Sequence, residues 1–339
     1  GRLGVATVTG NTAFAAVTGT SIASAAAFTR IAWPEMKKAG YNHSFALGAI
    51  SGSACLGMLI PPSVLLIVWG IITEDSIGKL FVAGVIPGIL LALLYVTYNL
   101  VRAIMKPQLA PEPDKVGLTT KLTKTEIYSG FSIIALIFLV LGGIWGGIFT
   151  ATEAAGMGAI ASFIIALCKG MNFKGVVDSV IDAGKTSAPI MILLITAGMY
   201  SRFLSLSDIN SIILEAITSV GLNQFAILIM MVVIWLVLGM LLDSISIILL
   251  TVPLFIHLIP EMNPYAFAIF GILAIEAGLL TPPFGLIVYT VKGVLTGSND
   301  NVPLGTIFMG SIPYWIMMLF VMIMVYLIPE LASWPTKFV

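Results

Sequence analysis

Charge is scarce in this chain. Lys and Arg number 16 and Asp and Glu 16 in 339 residues, 9% of the total, against roughly 25% in soluble domains. Water is therefore not the solvent for most of the surface. The balance is neutral, so nothing global points to nucleic acid or an acidic surface as partner. There are only two Cys and two His. Cys55 and Cys168 sit in apolar runs, with neither disulfide-framework nor metal-ligand spacing, and read as packing residues. His43 and His257 lie at the edges of apolar segments without ligand neighbours, which favours core or interface roles over proton relay. No Walker A sequence, Gly-x-Ser-x-Gly elbow or His-Glu-x-x-His is present. ATP hydrolysis and familiar hydrolytic chemistry lack a motif, and any work is expected to draw on an ion gradient. The chain opens at Gly1-Arg2 without a signal-peptide pattern.

Apolar residues make up 59%. Runs near the roughly 20 residues needed to cross about 30 Å of hydrocarbon fall at 80–105, 127–148, 151–168, 186–204 and 307–328. Amphipathic stretches at 173–184 and 208–219 read as interfacial connectors. Residues 106–126, with Pro107, Pro111, Pro113 and alternating charges, read as a cytoplasmic linker between two halves.

Four further apolar segments are interrupted. Residues 4–38 break around Thr18-Gly19-Thr20-Ser21 and residues 223–260 around Gly239 to Ser244, each reading as two arms meeting at a turn. Residues 43–75 break at Pro61-Pro62, and residues 264–295 at Pro282-Pro283. Paired prolines remove two backbone donors, which a bilayer tolerates only where protein or a water-filled cavity satisfies the freed groups. Pro34 and Pro253 are 219 residues apart, and Gly57 and Gly278 are 221 apart. This register sets Ser24 against Asp243 and Cys55 against Glu276. A hairpin followed by a broken helix, occurring twice, marks a repeated transporter core with its site at the midplane.

Lys and Arg stay cytoplasmic, which tests the sense of the repeat. Counting spans from Lys37 and Lys38 as inside, eleven basic residues fall inside and Lys79, Arg202 and Lys337 outside, with Arg2 and Arg30 uncounted. The two hairpins are expected to enter from opposite sides. The expected fold is an all-α polytopic membrane protein with inverted repeats, two helical hairpins and two discontinuous helices. Its first repeat spans residues 1–105, spans and connectors occupy 127–222, and the second repeat spans 223–339.

A broken helix exposes carbonyls at one half's end and amides at the other's start, and hard cations prefer oxygen ligands. The candidate sodium ligands are Thr20, Ser21, Ser24, Ser53, Gly57 and Ile60 in the first half. In the second they are Gly239, Asp243, Gly278 and Thr281, with Gly57 and Ile60 acting through their carbonyls. Thr20, Ser21, Ser244 and Arg30 are the candidate substrate contacts. Each has a plainer reading: small residues permit close helix packing, hydroxyls bond back to their own helix, Asp243 caps a helix, and Arg30 snorkels. Glu276 suits a cation site or a buried hydrogen bond. Glu153, three residues after Thr150, has capping-box spacing.

The motifs Thr18-Gly19-Thr20-Ser21-Ile22-Ala23-Ser24, Leu59-Ile60-Pro61-Pro62-Ser63, Ala83-Gly84-Val85-Ile86-Pro87-Gly88, Thr150-Ala151-Thr152-Glu153-Ala154, Met240 to Pro253 and Gly278-Leu279-Leu280-Thr281-Pro282-Pro283-Phe284-Gly285 occur in that order. In them the chain resembles the large permease subunit of tripartite ATP-independent periplasmic (TRAP) transporters. The resemblance implies sodium-coupled import of an organic acid at the bacterial inner membrane and no enzymatic activity. A periplasmic binding protein, a small four-helix membrane subunit and an elevator mechanism in the lipid bilayer are implied with it. It also implies spans ahead of the first hairpin, so an N-terminal scaffold segment is expected to be missing here. Family members often carry Asp where this chain has Ser24. Three alternatives stay open: a binding-protein-independent dicarboxylate symporter, an intramembrane enzyme pairing Asp243 with Glu276, and a channel.

Overall fold

A computed structural model describes residues 2–111, 123–207, 223–259, 261–298 and 300–339, with 209, 211, 212, 215, 219 and 221 between them. Most of the expected linker and connector at 112–122 and 208–219, with Lys115 and Lys121, lies outside the described residues. The described part holds fourteen α-helices and no strand.

The first half runs α1 (Arg2–Thr18), α2 (Ser21–Lys38), α3 (His43–Ala54), a 3-10 turn at Cys55–Met58, α4 (Val64–Thr73) and α5 (Ile77–Met105). Then come α6 (Lys124–Trp145), α7 (Ala151–Cys168) and α8 (Phe173–Leu206). The second half repeats the first as α9 (Gln224–Leu241), α10 (Ser244–Phe255), α11 (Pro264–Gly278), α12 (Leu286–Gly297) and α13 (Leu304–Leu327), followed by the short α14 (Glu330–Ser333). Among the described residues six helices are long and apolar enough to cross a membrane: α5 to α9 and α13.

Packing between the halves comes in exchanged pairs. Helix α2 lies on α12 and α10 on α4, while α3 lies on α13 and α11 on α5. Each contact recurs with the halves interchanged, as a pseudo-twofold axis requires. The core follows from this exchange. From Phe45 to Ala54 every residue of α3 is buried, as is every residue of α11 from Ala266 to Gly278, and helices apolar on all sides belong inside. Glycines set the closest approach, since a Cβ on Gly48 would overlap the Gly310 backbone, the small-residue route to helix contact in lipid.

The sequence places a separate connector at 173–184. Those residues are instead the first third of α8, one helix of 34 residues. At 1.5 Å per residue α8 is about 51 Å long, well beyond about 30 Å of hydrocarbon. Lys174, Asp178, Asp182 and Lys185 lie on exposed turns of this first third, continuous with the apolar remainder of the helix. Cys168 is exposed at the end of α7 and is not a packing residue, whereas Cys55 is buried. Thr150 and Glu153 form the expected capping box at the start of α7.

Candidate functional site

Each hairpin turns at a residue that starts its second arm as an N-cap. Gly19 takes φ 62, a left-handed conformation that glycine adopts without cost, and Thr20 becomes the N-cap of α2. In the second half Asp243 is the N-cap of α10. By cap position Asp243 therefore corresponds to Thr20, and the sequence register that set it against Ser24 is one turn out. The proline-anchored register misses this because α2 has 18 residues and α10 has 12, so the second arm is shorter between its tip and the end of the helix.

The two caps differ in chemistry. Asp243 Oδ1 accepts from the amides of Ile245 and Ser246, both at 3.1 Å, and Oδ2 accepts from Ser246 Oγ at 2.5 Å. No side chain caps α2 at Thr20, so its first-turn amides keep the partial positive charge of a helix start. The first tip also touches its own break: Val64 N donates to the Gly19 carbonyl at 3.4 Å, and α1 and α2 both pack on the Cys55–Met58 turn.

Behind the first tip lies a buried polar chain. Ser24 Oγ donates to Asn11 Oδ1 at 2.6 Å, and Asn11 Nδ2 donates to Ser53 Oγ at 2.8 Å and to the Ile50 carbonyl at 3.1 Å. Ser53 in turn donates to the Ala49 carbonyl at 2.6 Å. Sequence reasoning named Ser24 and Ser53 but missed Asn11, whose signal was an amide alone in an apolar arm.

At the second break, Gly239 and Gly278 press together, a Cβ on Gly239 falling 2.6 Å from the Gly278 Cα. The Gly278 carbonyl accepts from Thr281 N at 3.0 Å. Thr281 Oγ1 donates to the Ala277 carbonyl at 2.9 Å and accepts from Trp315 Nε1 at 3.0 Å. Gly57 is buried within the first 3-10 turn, and Ile60, half-buried, follows it. The peptides Pro61-Pro62 and Pro282-Pro283 are both cis.

Glu276 joins the two halves of the site. It is 2% exposed, and its Oε1 accepts from Ser244 Oγ at 2.7 Å. The Ser21 hydroxyl adjoins the same carboxyl. One residue from each hairpin tip thus converges on a single acid in α11. Arg30 is not brought to this place. It is exposed on α2, nine residues past Ser21 and so about 14 Å along the helix. Beside the second tip a cavity of ≈ 330 Å³ opens between α8 and the hairpin, lined by Thr196, Tyr200, Leu242 and Ser246 among others. Among the described residues no three His, Cys, Asp or Glu side chains converge as a metal cluster, so the oxygens on offer are hydroxyls, carbonyls and single carboxylates.

Comparison with known proteins adds the family. Residues 1–331 match the family described as tripartite ATP-independent periplasmic transporter, DctM component. The chain is 31% identical to the C4-dicarboxylate TRAP transporter large permease protein DctM of Pseudomonas aeruginosa, over 98% of this chain and 77% of that protein. It is 30% identical to the ectoine TRAP transporter large permease protein TeaC of Halomonas elongata, over 98% and 77%. It is 26% identical to the sialic acid TRAP transporter permease protein SiaT of Haemophilus influenzae, over 98% of this chain and 53% of that protein.

Proposed function

This chain belongs to the DctM family of large permease subunits of tripartite ATP-independent periplasmic transporters, and on that premise we propose that it imports a small organic acid across the bacterial inner membrane by sodium symport. Membership makes it a multi-pass secondary transporter. Its proposed partners are a periplasmic binding protein that delivers the acid and a small membrane subunit that braces the spans.

The observation that carries this reading is the meeting of both hairpin tips, through Ser21 and Ser244, at one acid beside a helix break. Tips that enter from two sides and meet at one point are what alternating access to a fixed site requires. The uncapped start of α2 suits a substrate carboxylate, which backbone amides and the helix dipole favour together. Thr20 and Ser21 stand at that start and Ser244 faces it from the other hairpin. Arg30 lies too far along α2 to take part. Sodium is assigned to the oxygens around the two breaks: Thr20, Ser21, Ser24, Ser53 and the Gly57 and Ile60 carbonyls on one side, and Gly239, Asp243, Gly278 and Thr281 on the other. Because the hairpins and broken helices pack as exchanged pairs, they are proposed to move as one body against the more exposed spans α6 to α8, an elevator motion.

The test is uptake of a panel of labelled organic acids by proteoliposomes holding the full-length protein with its small subunit, with and without a sodium gradient and the binding protein. Sodium-dependent uptake that needs the binding protein and is lost in Ser21→Ala and Asp243→Ala is expected. Uptake without the binding protein would move the assignment to a direct dicarboxylate-type symporter. No gradient-driven flux of any acid through folded protein would overturn the symport.

A further inference from the structure

We propose that Glu276 is the anionic ligand of a monovalent-cation site shared by the two hairpins, with the Ser21 and Ser244 hydroxyls as its neutral ligands. This rests on the symport reading above and adds to it two residues outside the sodium set assigned there, Glu276 and Ser244.

Three observations lead to it. First, the carboxyl is almost wholly buried, and none of the ion pairs found among the described residues, Lys37–Asp300, Lys38–Glu35 and Lys185–Asp182, reaches it. A carboxylate buried without a counter-charge is costly and calls for a neutralising partner. Second, the local polar capacity is only half used. Ser244 satisfies Oε1, while the fully buried Ser21 hydroxyl lies close enough to bear on the carboxyl yet makes no hydrogen bond of good geometry, to Glu276 Oε2 or elsewhere. Two oxygens left open next to one another form a receptor for a cation. Third, the donor set fixes the charge. All the ligands are hard oxygens, and one carboxylate balances one positive charge, so a divalent ion would leave a net charge buried.

Position gives the site its consequence. Ser21 begins α2, Ser244 begins α10, and Glu276 lies two residues before the α11 break. A cation held among them ties three segments from both halves, and it sits beside the uncapped helix start that suits a carboxylate. Cation and substrate would then each raise the other's affinity by the same factor.

The experiment follows thermal unfolding of the purified large and small subunits together in detergent, as sodium replaces choline at constant ionic strength. It compares wild type with Glu276→Gln, Ser21→Ala and Ser244→Ala. Glu276→Gln keeps an acceptor for Ser244 and removes only the charge. The expected result is a midpoint that rises with sodium in wild type, with half-saturation displaced at least tenfold in Glu276→Gln and severalfold in each serine variant. Should Glu276→Gln not fold, the serine variants carry the test. An unchanged sodium response in the variants that fold would overturn the site. So would an intact sodium response combined with loss of a wild-type pH response in Glu276→Gln, which would assign the carboxyl to a proton. Unfolding is read without transport, so a sodium response lost in Glu276→Gln alongside absent uptake would sink the symport and leave the cation site standing.

Discussion

Cys55 and Glu276 stand 221 residues apart, at matching places in the two broken helices, and they touch: the Cys55 thiol reaches the Glu276 carbonyl at 4.0 Å. Matching residues of two repeats meet only close to the axis that relates them. Glu276 is therefore held near the centre, within reach of both hairpin tips, and its partner across the axis is a neutral thiol. A maleimide should label Cys168 in the folded protein and spare Cys55, which mass spectrometry of the intact protein would read directly. Cys55→Asp would set a second acid near the first with no second cation to offset it, at an expected cost of at least about 3 kcal/mol, seen as lost folded yield.

Thr20→Asp should move stability and function in opposite directions. The new carboxylate would cap α2 as Asp243 caps α10, adding about 1 kcal/mol of helix stability. It would also occupy the amides proposed for the substrate and repel a carboxylate. A higher melting midpoint with at least tenfold weaker substrate binding is expected. A raised midpoint with unchanged binding would move the substrate elsewhere.

Asp243 tests cap against ion ligand. Serine caps helices about as well as aspartate, while alanine loses roughly 1 kcal/mol. If the carboxylate also serves sodium, Asp243→Ser will melt near wild type yet need more sodium for uptake. Equal sodium dependence in Asp243→Ser would leave the residue a cap alone.

Asn11 holds Ser24, Ser53 and the Ile50 carbonyl in one buried chain. Asn11→Ala strands the Ser24 hydroxyl and takes one partner each from Ser53, which keeps its bond to the Ala49 carbonyl, and from the Ile50 carbonyl, and about 2 kcal/mol of stability should be lost, since unsatisfied buried polar groups cost about 1–3 kcal/mol each. Ser24→Ala, which strands only the amide oxygen, should cost less. Equal melting of the two variants would show that the chain is not a unit.

Asp300, in the connection between α12 and α13, ties the base of the first hairpin to the second half. It pairs with Lys37 and accepts from Trp33 Nε1 at 2.7 Å. Lys37, then the Trp33 hydrogen bond, hold its carboxyl below the usual aspartate range. The stabilisation is thus complete above the unfolded-chain value of about 3.9 and fades as pH falls through the lower folded value. Lys37 is half-exposed, so at most about 1 kcal/mol is at stake. Melting of wild type should fall toward that of Asp300→Asn below about pH 4, with the gap constant above it.

Much of the fold was legible because its signals are local. Paired prolines and the Thr18-Gly19-Thr20-Ser21 turn interrupt helices wherever they occur, and apolar runs of membrane length declare themselves. The site was legible only in outline. Ser21 and Ser244 were named from their positions at the tips, but Asn11 gave no pattern, and Arg30 suited a carboxylate in type while its distance along α2 could not be seen. The proline register misled at Asp243 because the two second arms differ in length, a difference that helix ends reveal and spacing does not.

The sequence by itself determined the solvent, the helical class, the duplication and the family, since scarcity of charge and backbone-breaking residues act through local chemistry and bilayer energetics. Tertiary structure alone decided that Ser21, Ser244 and Glu276 share one place. They lie in three helices from two halves of the chain, and only the exchange of α2 onto α12 and α10 onto α4 brings them together. It also decided that α2 starts uncapped while α10 does not, because whether a side chain turns back to its own amides depends on the backbone angle at the tip.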